Sequence, residues 1–266
     1  MDALRNQRPA RSSWLALISF LVAVSSSPLA SAATYYVDKS GSNNNSCAQA
    51  TSQSAPKQTI TGGISCLSAG DTLLIRAGTY QDGEIKISKS GTAGAPITIK
   101  NFPGEAPVIQ GGRILIEGTP YPSPVGWLVI EGLELRNGSE GVKLMNTHDI
   151  ILRKNYIHDN ANQGILGASA RVTIDQNVIA RTGLQSSQFH EHGIYMQGTD
   201  IAITNNLIDS NHAYGIQIAA YSYNSGTHAV PEYAGATNWL ISNNTIALQD
   251  VRGGIIVWNA GTAPSG

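Results

Sequence analysis

Four stretches of this chain follow one plan. Set under one another, "ILRKNYIHDNANQGIL" from Ile151, "TIDQNVIARTG" from Thr173, "AITNNLIDSNHAYGIQI" from Ala202 and "LISNNTIALQDVRGGIIV" from Leu240 each give a short alternating strand, an Asn, apolar residues and a turn. A Gly followed by Ile or Val then closes the unit. The marker asparagines are Asn155, Asn177, Asn206 and Asn244, and the marker glycines are Gly141, Gly164, Gly193, Gly215 and Gly254.

Spacing carries the argument. Asn155 to Asn177 is 22 residues, Gly141 to Gly164 is 23 and Gly193 to Gly215 is 22. Asn177 to Asn206 is 29 and Asn206 to Asn244 is 38, which exceed 22 by 7 and 16. Both excesses sit at defined places, "LQSSQFH" before Gly193 and "YSYNSGTHAVPEYAGA" after Ile218. A fixed period of this size marks stacked units that cannot bury an apolar face alone, with insertions confined to turns. A coil of three short strands and their turns is the unit of a parallel β-helix. The fold expected is therefore all-β, a right-handed parallel β-helix (solenoid) with an N-terminal capping helix.

Strand alternation points Ile150 and Leu152, Val172 and Ile174, and Ile201 and Ile203 inward, where successive coils stack them into columns. An Asn at a sharp corner tolerates unusual dihedrals and can bond to the same Asn one coil away, so the marker asparagines read as structural. The marker glycines read as turn exits where a Cβ would not fit, and no phosphate-binding or dinucleotide fingerprint is present. Earlier coils are less regular, but "GWLVIEGLELRNGSEGVKL" from Gly126 to Leu144 is nearly complete. In "TITGGISCL", Ile60, Ile64 and Leu67 fall at helical spacing, which places a short helix over the open first coil. The chain ends at "NAGTAPSG" directly after a coil, so either further residues or a partner is expected there.

The first residues carry Arg5, Arg8 and Arg11, an apolar run from Trp14 to Val24, and small residues at Ala30 and Ala32. That is the layout of a secretory signal peptide, and the run is too short for a bilayer-spanning helix. The chain divides into a signal peptide (1–33), an N-terminal strand and cap (34–70) and the β-helix (71–266). A secreted chain, extracellular or periplasmic, follows. Its two cysteines, Cys47 and Cys66, are expected to form one disulfide. Without Arg5, Arg8, Arg11 and Asp2 the chain holds 14 basic and 17 acidic residues, a net charge near −3. No basic field attracts nucleic acid or a membrane surface, and a monomer is expected.

"AGDTLLIRAGTYQDGEIKISKSGTAGAPITIKNFPGEAPVIQGG", Ala69 to Gly112, resembles the opening of secreted β-helix polysaccharide lyases of the chondroitinase B and alginate lyase type. The preceding "TYYVDKSGS" with "SAGDTLLIRAGTY" resembles the start of the calcium-dependent pectate lyase branch, and the later coils resemble parallel β-helix repeat proteins. The resemblance implies a polysaccharide substrate. It also implies proton abstraction alpha to a uronate carboxylate by a Lys or similar base, with Ca²⁺ or Arg neutralising that carboxylate. The pectate lyase branch holds its Ca²⁺ with adjacent aspartates before a Gly. Here "NHAYGIQI" and "HEHGIYM" stand at those places, so the chain departs from the calcium motif.

Counting from the marker glycines puts Lys143, Leu166, Tyr195, Gln217 and Ile256 in one outward column, and Glu140, Gln163, His192, Tyr214 and Gly253 in the column before Gly. Lys143, His192, Tyr195, Tyr214 and Gln217 then share a lateral face flanked by the two insertions. Tyrosines stack on sugar faces, while amides and histidines bond hydroxyls. His192 or Tyr195 is the candidate base or acid, Lys143 the carboxylate-neutralising group, and His190, His212, Tyr214 and Gln217 the sugar contacts. Glu191 and Asp209 are candidate metal ligands or acids, while His158 and Asp159 fall in a turn column and read as structural. Three functions fit: a polysaccharide lyase or epimerase on uronate-containing glycans, a glycoside hydrolase, and a non-catalytic glycan-binding surface protein. The hydrolase needs two carboxylates flanking the groove, for which Glu140, Glu191 and Asp209 are the candidates.

Overall fold

The structure, a computed structural model, describes residues 32–119, 123–185, 190–220 and 235–258. Among these, every pairing between strands is parallel, within a 12-stranded and a 7-stranded sheet. The long strands Val142–Arg153, Ile165–Asp175 and Ile194–Thr204 each carry two legs of a coil. The first half of Val142–Arg153 pairs with Arg113–Glu117 and the second half with Val125–Glu131, with an irregularity between Met145 and Thr147. The third leg is the short strand of the smaller sheet: Glu134–Arg136, Tyr156–His158, Val178–Ala180, Leu207–Asp209 and Thr245–Ala247. Three legs per turn, stacked along one axis, make a parallel β-helix.

The alternation read from sequence sets the interior. Ile150, Leu152, Val172, Ile174, Ile201 and Ile203 are all buried and belong to one apolar core running from Val37 to Ile218. Burying side chains of this size stabilises by roughly 1.5–3 kcal/mol each, before the entropy of ordering the chain is subtracted.

The marker asparagines form a ladder through the described coils. The Nδ2 of Asn155 donates to Oδ1 of Asn177 at 3.0 Å, Asn177 to Asn206 at 3.0 Å, and Asn206 to Asn244 at 2.9 Å. Each acceptor oxygen also takes the backbone N–H of the preceding rung, at 3.0, 2.8 and 2.9 Å. The unusual dihedral, however, does not fall on the ladder residue itself. It falls one position earlier, at Lys154, Gln176, Asn205 and Asn243, whose φ values run from +55° to +58°. The left-handed residue turns the chain, and the Asn after it closes the corner by pairing.

None of the marker glycines has a positive φ; Gly141, Gly164, Gly193 and Gly215 act through space, whereas a Cβ on Gly254 would meet only Ile246 Cγ2 at 3.6 Å. A Cβ on Gly164 would lie 2.5 Å from Ile179 Cγ2 and 2.7 Å from the Gly193 carbonyl oxygen, and Gly141 and Gly193 are hemmed in the same way. At the N-terminal end, the helix Ile60–Ile64 buries Ile60 and Ile64 and is capped by Thr59, whose hydroxyl accepts from Gly62 N–H. Leu67 lies beyond the helix and is buried too. Cys47 and Cys66 form the expected disulfide. The segment read as a signal peptide lies almost wholly outside the described residues. No helix among the described residues is long and apolar enough to cross a membrane.

Candidate active site

Parallel pairing with no slip puts Lys143, Leu166, Tyr195, Gln217 and Ile256 opposite one another on successive coils. The same column extends back through Leu115 to Lys86. Outward side chains of a parallel stack stand about 4.8 Å apart, so the column is a continuous lateral face. It opens into a cavity of about 270 Å³ lined by Lys143, Met145, Gln163, Leu166, Tyr195 and Gln197, among others. Lys143 and Tyr195 therefore share one cavity, as their columns predicted. Gln163 and Gln197 supply amides that sequence reasoning did not single out. The outward alternation of the strands was the available signal, since Gln197 stands two residues after Tyr195.

The charges beside this cavity are ordered. Glu140 is buried and accepts from Arg113 Nη1 at 2.6 Å and from the Ser139 hydroxyl at 2.7 Å. Burial alone would raise its pKa, but the hydrogen bonds from Ser139 and Arg113 and the Arg113 charge outweigh it and hold the carboxyl below its ordinary range. Arg113 also holds Glu84 at 2.6 Å. Lys143 Nζ stands 3.9 Å from Glu140, at the outer edge of an ion pair, because that carboxylate is already committed to Arg113. Among the described residues its ammonium thus reaches the cavity with only a weak counter-ion.

His192 corrects one part of the outward-face expectation. It is 1 % exposed, with its ring edge-on to Tyr195 at 5.5 Å and tilted against Tyr214 at 5.6 Å. Its Nδ1 accepts the Tyr214 backbone N–H at 3.1 Å, so the proton of the neutral ring sits on Nε2, which has no hydrogen-bond partner among the described residues. Burial first, then electrostatic interaction with the neighbouring His190 and Arg252, pushes its pKa down to about 4. An acceptor nitrogen already used by the backbone is not available as a base, so His192 enters as a neutral donor behind the two tyrosines. Tyr214 carries Arg252 over its ring at 5.3 Å.

The remaining candidates spread out. His190 is exposed, and its carbonyl accepts from Gln163 Nε2 at 2.7 Å. His212 is buried in the turn before Gly215 with Nδ1 2.9 Å from Asp250, away from the cavity lining. Gln217 stands next to Tyr195 in the column. Glu191 is buried and accepts the His190 backbone N–H, whereas Asp209 ends a strand of the smaller sheet, with its carboxylate 3.2 Å from the Ser210 hydroxyl. Among the described residues no group of three His, Cys, Asp or Glu is placed to hold a metal. His158 is tied to Asp159 at 2.5 Å and Glu134 at 3.2 Å and stacks on Tyr156 at 3.8 Å, a packed cluster on the smaller sheet. The "LQSSQFH" insertion falls largely outside the described residues.

Comparison with known proteins places this geometry in context. A model described as "Pel9A-like, right handed beta helix region" matches residues 35–182, and a broader right-handed β-helix model matches residues 126–246. Pectate lyase PEL9 of Emericella nidulans is 37% identical over 94 residues, covering 35% of this chain and 22% of its own. The uncharacterised protein YwoF of Bacillus subtilis is 26% identical over 167 residues, covering 59% of this chain and 31% of its own. The chain thus spans less than a third of the length of these curated relatives. Among solved structures, a rhamnogalacturonan lyase superposes with a TM-score of 0.58 at 16% identity, covering 88% of this chain and 64% of that one. A lacto-N-biosidase from Eubacterium ramulus does so at 0.54 and 15%, covering 85% and 55%. Enzymes of different chemistry thus share the coil, and the likeness speaks to fold alone.

Proposed function

This chain belongs to the Pel9A-like right-handed β-helix family, and we propose that it is a secreted carbohydrate-active protein that cleaves uronate-containing polysaccharide by β-elimination along the Lys143–Tyr195 face. The observation that carries the reading is the column itself: an ammonium with a weak counter-ion and a tyrosine ring line one cavity, in register, on a face several coils long. Lys143 neutralises the substrate carboxylate, which lowers the energy of the carbanion formed when the alpha proton leaves. The electron pair of that C–H bond forms the new double bond as the adjacent glycosidic C–O bond breaks. The alpha proton passes to Tyr195 as its phenolate, and the phenol so formed returns a proton to the leaving oxygen. Tyr195 is the proton-handling group within reach of the cavity, Gln217 bonds hydroxyls farther along the column, and His192 fixes the tyrosine rings from behind.

A binding-only reading needs the same tyrosines but no turnover. The two are separated by offering alginate, pectate, chondroitin and dermatan and following the ultraviolet absorbance of the unsaturated uronate product. A rise with one substrate that falls at least about a hundredfold in Lys143→Ala, the range a positioned charge contributes, supports elimination. Flat traces with all four, alongside measurable binding, would leave a glycan-binding protein.

A further inference from the structure

A second groove, on the leg of the coil that follows the cavity-bearing one, plays no part in the reading above. It encloses about 510 Å³ between Trp127, Asp149, Ile151, Arg171, Thr173 and Asp200. Its rim is a corner column. Trp127, Asp149, Arg171, Asp200 and Asn238 all adopt left-handed backbone, with φ between +52° and +57°. Asp and Asn take this conformation readily, whereas a bulky aromatic residue does not. The tryptophan is therefore kept there for its side chain and against the preference of its backbone.

That side chain is held in place. The His148 ring meets the indole edge-on at 4.5 Å and 87°, His148 Nδ1 lies 2.7 Å from Asp149 Oδ2, and Asp149 is gripped by Arg171 at 2.9 and 3.0 Å. Gly126 makes room for this, because a Cβ there would lie 2.3 Å from His148 Cε1. The result is a half-buried aromatic plate, braced from behind, beside a floor of Val129, Ile151 and Thr173. A sugar lays its C–H face on such a plate. The coils rise about 4.8 Å each, close to the length of one sugar in an extended chain.

Charge selects the kind of sugar. The lining carries one cation, Arg171, against two carboxylates, Asp149 and Asp200, so its net charge is negative; Arg171 pairs with Asp149, and the Asn238 amide bonds Asp200. Such a groove accepts hydrogen bonds from hydroxyls and repels carboxylates. We propose that this face is a second glycan-binding surface, for an extended neutral β-linked polysaccharide, distinct from the uronate groove at Lys143.

The test is electrophoresis of the whole protein through native gels containing hydroxyethyl cellulose or, separately, polygalacturonate. Retardation by hydroxyethyl cellulose is expected, and Trp127→Asn should weaken it about tenfold, the loss of one sugar-stacking contact. Asn suits the left-handed corner, so the fold is retained and the melting temperature should not fall. Thr173→Arg, on an outward strand position, fills the groove and should give the same loss if Trp127→Asn fails to fold. Equal retardation of the unaltered protein and both variants, or none of the unaltered protein, would overturn the proposal. Lys143→Ala should leave this retardation unchanged, so failure of the uronate reading is seen separately.

Discussion

His192 Nδ1 accepts the backbone N–H of Tyr214, 22 residues ahead and one coil along, at 3.1 Å. Protonation would turn that acceptor into a donor facing a donor, at a ring that is 1 % exposed. Its pKa, about 4, lies below the ordinary 6.5. Between those values the unfolded chain binds more protons than the folded one, so stability is full above pH 6.5 and falls as pH drops toward 4. The loss is bounded at about 3 kcal/mol from the two pKa values. Urea denaturation across this window should show the slope, and His192→Asn should flatten it.

The ladder predicts a second effect. Asn177 Oδ1 serves two donors of Asn155, both buried. Asn177→Ala strands the Asn155 backbone N–H and one Nδ2 hydrogen, the other still bonding the Ile130 carbonyl, which costs roughly 2–4 kcal/mol at the usual penalty for stranded donors. Thermal melting should register a clear drop. Asn155→Ala/Asn177→Ala together should cost less than the sum of the singles.

Glycine substitutions should divide by place. Gly164→Ala drives a methyl into Ile179 and the next coil's carbonyl, an overpacking cost of about 1–3 kcal/mol. Gly94→Ala meets nothing within 4 Å and has no positive φ, so its stability should match the unaltered chain. Calorimetry of the pair separates steric need from mere glycine content.

Reduction should loosen the N-terminal end. The Cys47–Cys66 bridge closes a sequence separation of 19 residues, which in the chain-entropy model contributes about 3 kcal/mol. Cys47→Ser/Cys66→Ser is expected to raise hydrogen exchange around Ile60–Ile64 first, because that helix adjoins Cys66 and is only five residues long.

Most of the fold was legible because it repeats. The spacing of Asn155, Asn177 and Asn206 and the alternation at Ile150 and Leu152 state the same geometry several times over. The shared cavity of Lys143 and Tyr195 followed from counting along that frame. What was hidden lay in residues that occur once. Arg113 occupies the column of the marker glycines one coil early, and its claim on Glu140 is what leaves Lys143 weakly paired. The burial of His192 and the His148 brace behind Trp127 depend on contacts across coils between unlike residues, which no period announces. The left-handed residue stood one position before the Asn because pairing, not backbone tolerance, determines which residue the ladder repeats.

Asn177 and Asn206 are 29 residues apart and Asn206 and Asn244 are 38, yet their rungs close at 3.0 and 2.9 Å, as does the 22-residue step before them. Distance along the axis is therefore counted in hydrogen bonds and not in residues. Chain can be added or removed at a turn while every side chain on the coil keeps its address. Recognition loops on this scaffold can vary in length without moving the groups they serve.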